Sequence, residues 1–407
     1  MDEDESIQPA AREYALRVLL ECHEGQRFGR EMLDELQQAQ PLPPADAALA
    51  AELVIGVLRH RLTAEHLAAR FYRGRWAGLR LSVRMILALA VYQLCWLERV
   101  PDHAAVDQAV RQARRRGRGA AATVNAVLRS LARCRGAIVE QPAEPDPRRY
   151  LPVDEHRGRL FVENVFPDPA RRPLEYLVAT TSHPMFLVER WHRRFRPRLC
   201  GQVCAAGQRR PPLVLRPNAM RTSPSDLLRR LEQAGHHPAM LDGANAIILP
   251  DAPPLSDLPE FAAGLCQPQD STAQIALRLS PPKPGEIVLD LCSGVGTKAT
   301  QAAELMRNEG VVIATDTEGW KLDAIGPAAE RLGLTIIRPT PLANLPEVLA
   351  GLGRPLDLVL LDVPCTNTGV LARRPEARYR ATHQALLDLV AIQRGQLGAR
   401  LVRCQRS

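Results

Sequence analysis

Leu358-Val359-Leu360-Leu361-Asp362-Val363-Pro364-Cys365 is the stretch on which the fold turns. Its first four residues form an unbroken apolar run, the pattern of a strand covered on both faces, as in a parallel sheet. The next four bring a carboxylate, a rigid turn and a thiol to the carboxyl end of that strand, where open α/β sheets hold their ligands. A cysteine fixed behind a proline at such a place is a candidate nucleophile, or an acid/base group acting at a carbon centre.

Toward the amino end, three more apolar runs alternate with helical stretches: Ile287 to Leu291, Val311 to Thr315 and Thr335 to Ile337. This rhythm is the βαβ signature of a parallel sheet. Asp290-Leu291-Cys292-Ser293-Gly294-Val295-Gly296-Thr297-Lys298 follows the first strand. Glycines here let the backbone approach a ligand at a helix N-terminus. Gly294, Gly296 and Ala299 satisfy the dinucleotide spacing, and Asp316, ending the second run, can accept hydrogen bonds from a ribose. The loop therefore predicts a nucleotide-type cofactor, nicotinamide or adenosyl. A phosphate-cradling loop is excluded because Lys298 follows Thr297 rather than glycine, and kinase and ATPase activities fall with it. Lys298 is one of three lysines against 50 arginines, which suggests that a compact ammonium is wanted there.

The 407 residues, 46% hydrophobic, suffice for two or three domains. From Ala11 to about Arg135 the apolar residues keep helical spacing, with Ala15, Val18, Leu19 and Cys22 on one face, then Leu49, Leu53, Val54 and Val57, then Val83, Ile86, Leu87 and Ala90. The first domain is expected to be all-helical. Gly136 to Pro173 is rich in proline and charge without a sustained period, and reads as a linker. From about Leu174 to Leu265 the pattern mixes a helix from Met185 to Phe195, a strand at Leu213-Val214-Leu215 and a helix after Thr222-Ser223-Pro224, as in a small α/β adaptor.

Nine cysteines, of which only Cys200 and Cys204 are close, complete no tetrahedral metal set and suggest no disulfide framework. No apolar run is long enough to span a membrane, and Met1-Asp2-Glu3-Asp4-Glu5 is acidic where a secretory signal is basic. The expected location is the cytosol. A net charge of +8 favours an anionic partner.

Taken together, the loop ending in Lys298, Asp316, and Asp362-Val363-Pro364-Cys365-Thr366-Asn367-Thr368-Gly369 resemble the ribosomal RNA cytosine-5 methyltransferases of the RsmB (Sun/Fmu) family. The likeness runs almost end to end. Leu53-Val54-Ile55-Gly56-Val57-Leu58-Arg59, Ala104-Ala105-Val106-Asp107-Gln108-Ala109-Val110 and Val124-Asn125-Ala126-Val127-Leu128-Arg129 are similar to that family's NusB-like RNA-binding domain. Ser182-His183-Pro184, Pro211-Pro212-Leu213, Gln269-Asp270-Ser271-Thr272 and Arg374-Pro375 fit the segments around its catalytic domain. The resemblance implies a multidomain fold: a NusB-like all-α domain over 7–136, a linker over 137–173, an α/β adaptor over 174–268 and a class I, Rossmann-like α/β methyltransferase domain over 269–407.

It further implies S-adenosylmethionine as cofactor, held by Cys292, Ser293, Gly294, Val295, Gly296, Thr297 and Lys298, with Asp316 on the ribose. Asp362 would lie near both cofactor and target base. The family divides its chemistry between two cysteines: a Thr-Cys on a later strand attacks the base, and the Pro-Cys thiol, here Cys365, assists breakdown of the adduct. No Thr-Cys occurs in the 407 residues, and Cys404 stands in a polar tail. The expectation is a carboxyl-truncated chain lacking its last strands, whose fourth strand becomes a sheet edge prone to aggregation. Thr340 stands near the place of an aspartate that would meet the adenine. Beside the NusB-like match, Arg114, Arg115, Arg116 and Arg118 become candidate phosphate contacts on ribosomal RNA of the small subunit. The expected protein is thus a monomeric, cytosolic methyltransferase acting on ribosomal RNA without a metal. A catalytically dead RNA-binding remnant and, more weakly, a nicotinamide-dependent oxidoreductase are the alternatives.

Overall fold

The structure is a computed structural model that describes residues 10–25, 27–142, 144–241, 245–250 and 252–404. The chain divides into two compact units, residues 1–210 with 366–387, and residues 211–365 with 388–407.

The first unit opens with the expected helices: Ala10–Glu24, Gly29–Ala39, Pro44–Phe71, Leu81–Trp96, Asp102–Arg114 and Ala120–Cys134. Pro44 opens its helix, since proline at a first turn gives up no needed N–H, and Asp102 begins its own after Pro101 at the N-cap. Leu81–Trp96 is apolar nearly all round and buried along its length, as a central helix must be. It packs closely on Pro44–Phe71 at Gly56, where a Cβ would stand 2.1 Å from the Tyr92 ring. Only glycine fits that crossing.

The stretch expected to be an open linker is folded instead. Strands Arg135–Glu140, Tyr150–Pro152 and Arg157–Phe161 form an antiparallel sheet, with Arg157–Phe161 in the middle. Leu151, Phe161, Val165 and Phe166 bury against the helical core. The strands are three to six residues long and separated by Asp-, Pro- and Arg-rich turns, too short to show a period of two. The helices Pro173–Thr181, Met185–Arg194 and Pro197–Ala206, expected as part of the adaptor, also belong to this unit.

So do residues 366–387, which follow the thiol in sequence. Arg378 is fully buried there and donates to the carbonyls of Pro375, Arg59, Thr181, Ser182 and Gly207. Burial pulls its pKa down to about 10. Glu376 accepts the Gly29 amide at 2.7 Å. Apart from the Pro375 bond, no periodicity announces such contacts, because they are made by single side chains with backbone more than 170 residues away in sequence.

The second unit contains two sheets. Strands Ala239–Met240, Ile247–Leu249, Leu213–Pro217 and Cys266–Pro268 make an antiparallel sheet in that order, its core filled by Leu215, Leu227, Leu231, Ile247 and Leu249. Ser223 caps the accompanying helix Pro224–Gln233, accepting from the Asp226 amide. The other sheet is parallel, in the order Ile337–Pro339, Val311–Ala314, Ile287–Asp290, Leu358–Leu360. All four strands expected from the sequence are present. Leu358–Leu360 lies at the sheet edge among the described residues and is less covered than its apolar run implied: Leu358 and Val359 are half-buried and Leu361 is 38% exposed.

Candidate cofactor and thiol site

Strands Ile287–Asp290 and Leu358–Leu360 are neighbours, with Asp290 paired to Leu360 in register. Their carboxyl ends therefore deliver the glycine loop and the Asp362-to-Cys365 turn side by side, at the edge where a parallel sheet leaves its ligand crevice. The loop is closed by hydrogen bonds from the next strand. The Ser293 amide donates to the Thr315 carbonyl at 2.9 Å, and the Thr315 hydroxyl donates to the Leu291 carbonyl at 2.7 Å. Gly294 and Gly296 both take positive φ, +55° and +80°. A Cβ on Gly294 would meet nothing within 4 Å, so its backbone faces open space, whereas one on Gly296 would strike Ile325 at 2.9 Å.

Lys298 and Asp362 come together across this crevice, Nζ to Oδ2 at 2.5 Å, with the ammonium 18% exposed and the carboxylate 60% exposed. Three residues beyond Asp362, Cys365 is exposed, and the Gln393 amide donates to the Pro364 carbonyl at 2.8 Å. Asp316 accepts the Gly294 amide at 3.0 Å and the Glu318 amide at 3.0 Å, with Lys321 at 3.6 Å. Its first role is thus to pin the loop. Two carboxylate oxygens still leave lone pairs for a further donor.

Asp290, at the head of the loop, is the most unusual group in the site, and no motif in the sequence assigns it a role. It is fully buried at the end of its strand. Burial drives its pKa up to about 7. Lys298 and the Ala299 amide pull the other way, while the carboxylates of Asp362 and Asp316 push it up further. The signal in the sequence was an acid closing a buried strand with no cation beside it. Asp316 and Asp362, paired with Lys321 and Lys298, leave carboxylate oxygens at the strand ends for a ligand that brings hydrogen-bond donors.

The remaining loop residues divide by exposure. Ser293 is buried, Cys292 is half-buried against the apolar cluster of Leu289 and Leu345, and Val295 is exposed. Thr297 begins the helix Thr297–Leu305. Thr340 is buried and its hydroxyl donates to the Arg338 carbonyl, so it offers no carboxylate to a ligand. Cys404 closes the helix His383–Cys404, and its side chain lies outside the described residues.

The arginine run belongs to the other unit. Arg114, Arg115 and Arg118 are exposed, as phosphate contacts require. Arg116 departs from the expectation: its guanidinium is bound to Glu13 at 2.6 Å and its carbonyl accepts from Arg80. It ties two helical segments together. Among the described residues no helix is long and apolar enough to cross a membrane, and no group of three His, Cys, Asp or Glu residues is placed to hold a metal.

Comparison with known proteins gives three consecutive matches. Residues 9–133 match the NusB family, residues 183–256 the ferredoxin-like domain of RsmF/B-like methyltransferases, and residues 276–405 the 16S rRNA methyltransferase RsmB/F family. The chain is 29% identical to the "Probable ribosomal RNA small subunit methyltransferase B" of Bacillus subtilis (strain 168), over 91% of this chain and 76% of that relative. It is also 29% identical to the ribosomal RNA small subunit methyltransferase B of Klebsiella pneumoniae (strain ATCC 700721 / MGH 78578), over 88% and 76%. Among solved structures, the crystal structure of PH0851 superposes with a TM-score of 0.68, at 19% identity over 97% of this chain and 82% of the other, a likeness of fold. Nothing in these matches supports the nicotinamide alternative.

Proposed function

From the premise that the chain joins a NusB-family domain to an RsmB/F-family ribosomal RNA methyltransferase domain, we propose that it transfers a methyl group from S-adenosylmethionine to the 5-carbon of a cytosine in small-subunit ribosomal RNA. The observation that carries the reading is the meeting of Lys298 and Asp362 where two adjacent parallel strands end, with Cys365 exposed three residues on.

The residues fit this cofactor. Gly294 leaves its backbone open to a ligand, Asp316 keeps acceptor capacity for a ribose, and Asp290 is a buried carboxylate beside the loop. Bound there, by residues 292–298 and Asp316, the cofactor supplies an electrophilic methyl group on a sulfonium. Asp362 is the group placed to hydrogen-bond the cytosine ring edge, and Lys298 fixes its orientation. A cytosine 5-carbon becomes nucleophilic only after a thiolate adds at the neighbouring 6-position; the 5-carbon then takes the methyl group, and loss of the 5-proton expels the thiol. Cys365 is assigned to that expulsion, so the attacking thiolate must come from a second cysteine. In the first unit, Arg114, Arg115 and Arg118 are assigned to RNA phosphates. The second reading is an RNA-binding protein without turnover.

Incubating the purified chain with methyl-labelled S-adenosylmethionine and unmodified small-subunit RNA, then digesting to nucleosides, separates the readings. Labelled 5-methylcytidine supports transfer; RNA binding without label supports the second.

A further inference from the structure

The helix Thr297–Leu305 carries a polar stripe on the face it buries. Thr297, Thr300, Gln301 and Glu304 recur at i, i+3, i+4 and i+7, and the last three are buried. Arg216, on strand Leu213–Pro217, meets that stripe with its side chain 5% exposed and that of Glu304 3% exposed. Its Nη2 donates to Glu304 Oε1 at 2.7 Å and to Thr300 Oγ1 at 3.2 Å, and its Nε to Glu304 Oε2 at 3.1 Å. Its Nη1 donates to the Thr297 carbonyl at 3.1 Å and to the Gln269 side chain. Gln269 in turn donates to Gln301 at 2.8 Å, Gln301 to the Gln274 carbonyl, and Gln274 back to the Gln269 carbonyl, both at 3.2 Å.

One guanidinium thus grips two turns of the helix that begins at the cofactor loop. Stability alone does not ask for this, since a buried ion pair can commonly be exchanged for apolar groups of similar volume at no cost. An apolar pair cannot, however, hold the Thr297 carbonyl at a set distance and angle. That carbonyl immediately precedes Lys298, so its position sets the first helical turn and the direction of the loop amides.

We infer that Arg216 is a positioning residue for cofactor binding, through which the antiparallel sheet sets the geometry of the loop from Cys292 to Lys298. The assignment rests on the cofactor reading above. It is tested by measuring S-adenosylmethionine affinity calorimetrically, with thermal unfolding alongside, for the intact chain, Arg216→Met/Glu304→Leu and Glu304→Gln. The double variant, free of unpaired buried charge, is expected to keep its unfolding temperature yet bind the cofactor about tenfold more weakly. Glu304→Gln, which leaves Arg216 on the Thr297 carbonyl, is expected to bind as the intact chain does. Unchanged affinity in the double variant overturns the assignment. Should that variant not fold, Arg216→Lys carries the same test, because a lysine can satisfy Glu304 but cannot also span to Thr297: weaker binding supports the role and unchanged binding overturns it. If the intact chain itself fails to bind, the cofactor reading falls, and the role of Arg216 falls with it.

Discussion

Asp290 carries the clearest pH signature of any residue in the site. Its folded pKa of about 7 stands above the ordinary 3.8, chiefly because burial penalises the charge. Below the ordinary value both folded and unfolded chains hold the proton, and the residue costs nothing. Between the two values the unfolded chain releases its proton first, so stability falls as pH rises, and above the folded value the whole penalty is felt. Asp290→Asn should therefore be more stable than the natural chain at pH 8, by an upper bound of roughly 4 kcal/mol, with the difference gone near pH 4. Unfolding temperatures across that range check the sign, and a variant less stable at pH 8 would show that Asp290 is not a strained acid. Cys365 yields a different kind of test. If its thiol serves the RNA base, Cys365→Ala leaves S-adenosylmethionine affinity within about twofold while methylated RNA stays covalently trapped on the protein; a large loss of affinity would place the thiol on the cofactor instead.

The loop and its helix show how far local sequence carries and where it stops. Four parallel strands, the all-helical character of the amino-terminal domain and the loop were legible, because each rests on a run or period within a dozen residues. Gly296 was read as a close approach of backbone to a ligand; its positive φ and its contact with Ile325, both absent from the sequence, also demand the absence of a Cβ. Gly296→Ala should cost about 2 kcal/mol from left-handed backbone strain and crowding, read as a lower urea midpoint, and weaken cofactor binding. A stable variant with full affinity would mean that the loop does not need its shape. The sheet between Arg135 and Phe161 was not legible, because its strands are too short to show alternation. Nor was Arg216: an arginine on a strand reads as a solvent-facing charge until a helix some eighty residues later presents Thr297, Thr300 and Glu304 to it. The same reason hid Arg378 and Glu376, which join backbone groups distant in sequence.

For the molecule as a whole, charge and reaction class are the properties to test. RNA affinity should fall linearly with the logarithm of salt, each neutralised phosphate contributing about 0.7 to 0.9 to the slope. Replacing Arg114, Arg115 and Arg118 together by glutamine should reduce that slope by about 2 to 3. Arg116→Gln should leave the slope alone and lower the unfolding temperature, because Arg116 is spent on Glu13. Equal slopes in all forms would move the RNA surface elsewhere. Among the described residues strand Leu358–Leu360 ends its sheet, with Leu361 38% exposed beside it, and the expected outcome is self-association at high concentration, which light scattering would register. The central claim is tested most directly by mass spectrometry of nucleosides from small-subunit ribosomal RNA incubated with the chain and methyl-labelled S-adenosylmethionine. The account predicts label in 5-methylcytidine, absent with Asp362→Asn; label in another nucleoside, or RNA bound with none, would contradict it.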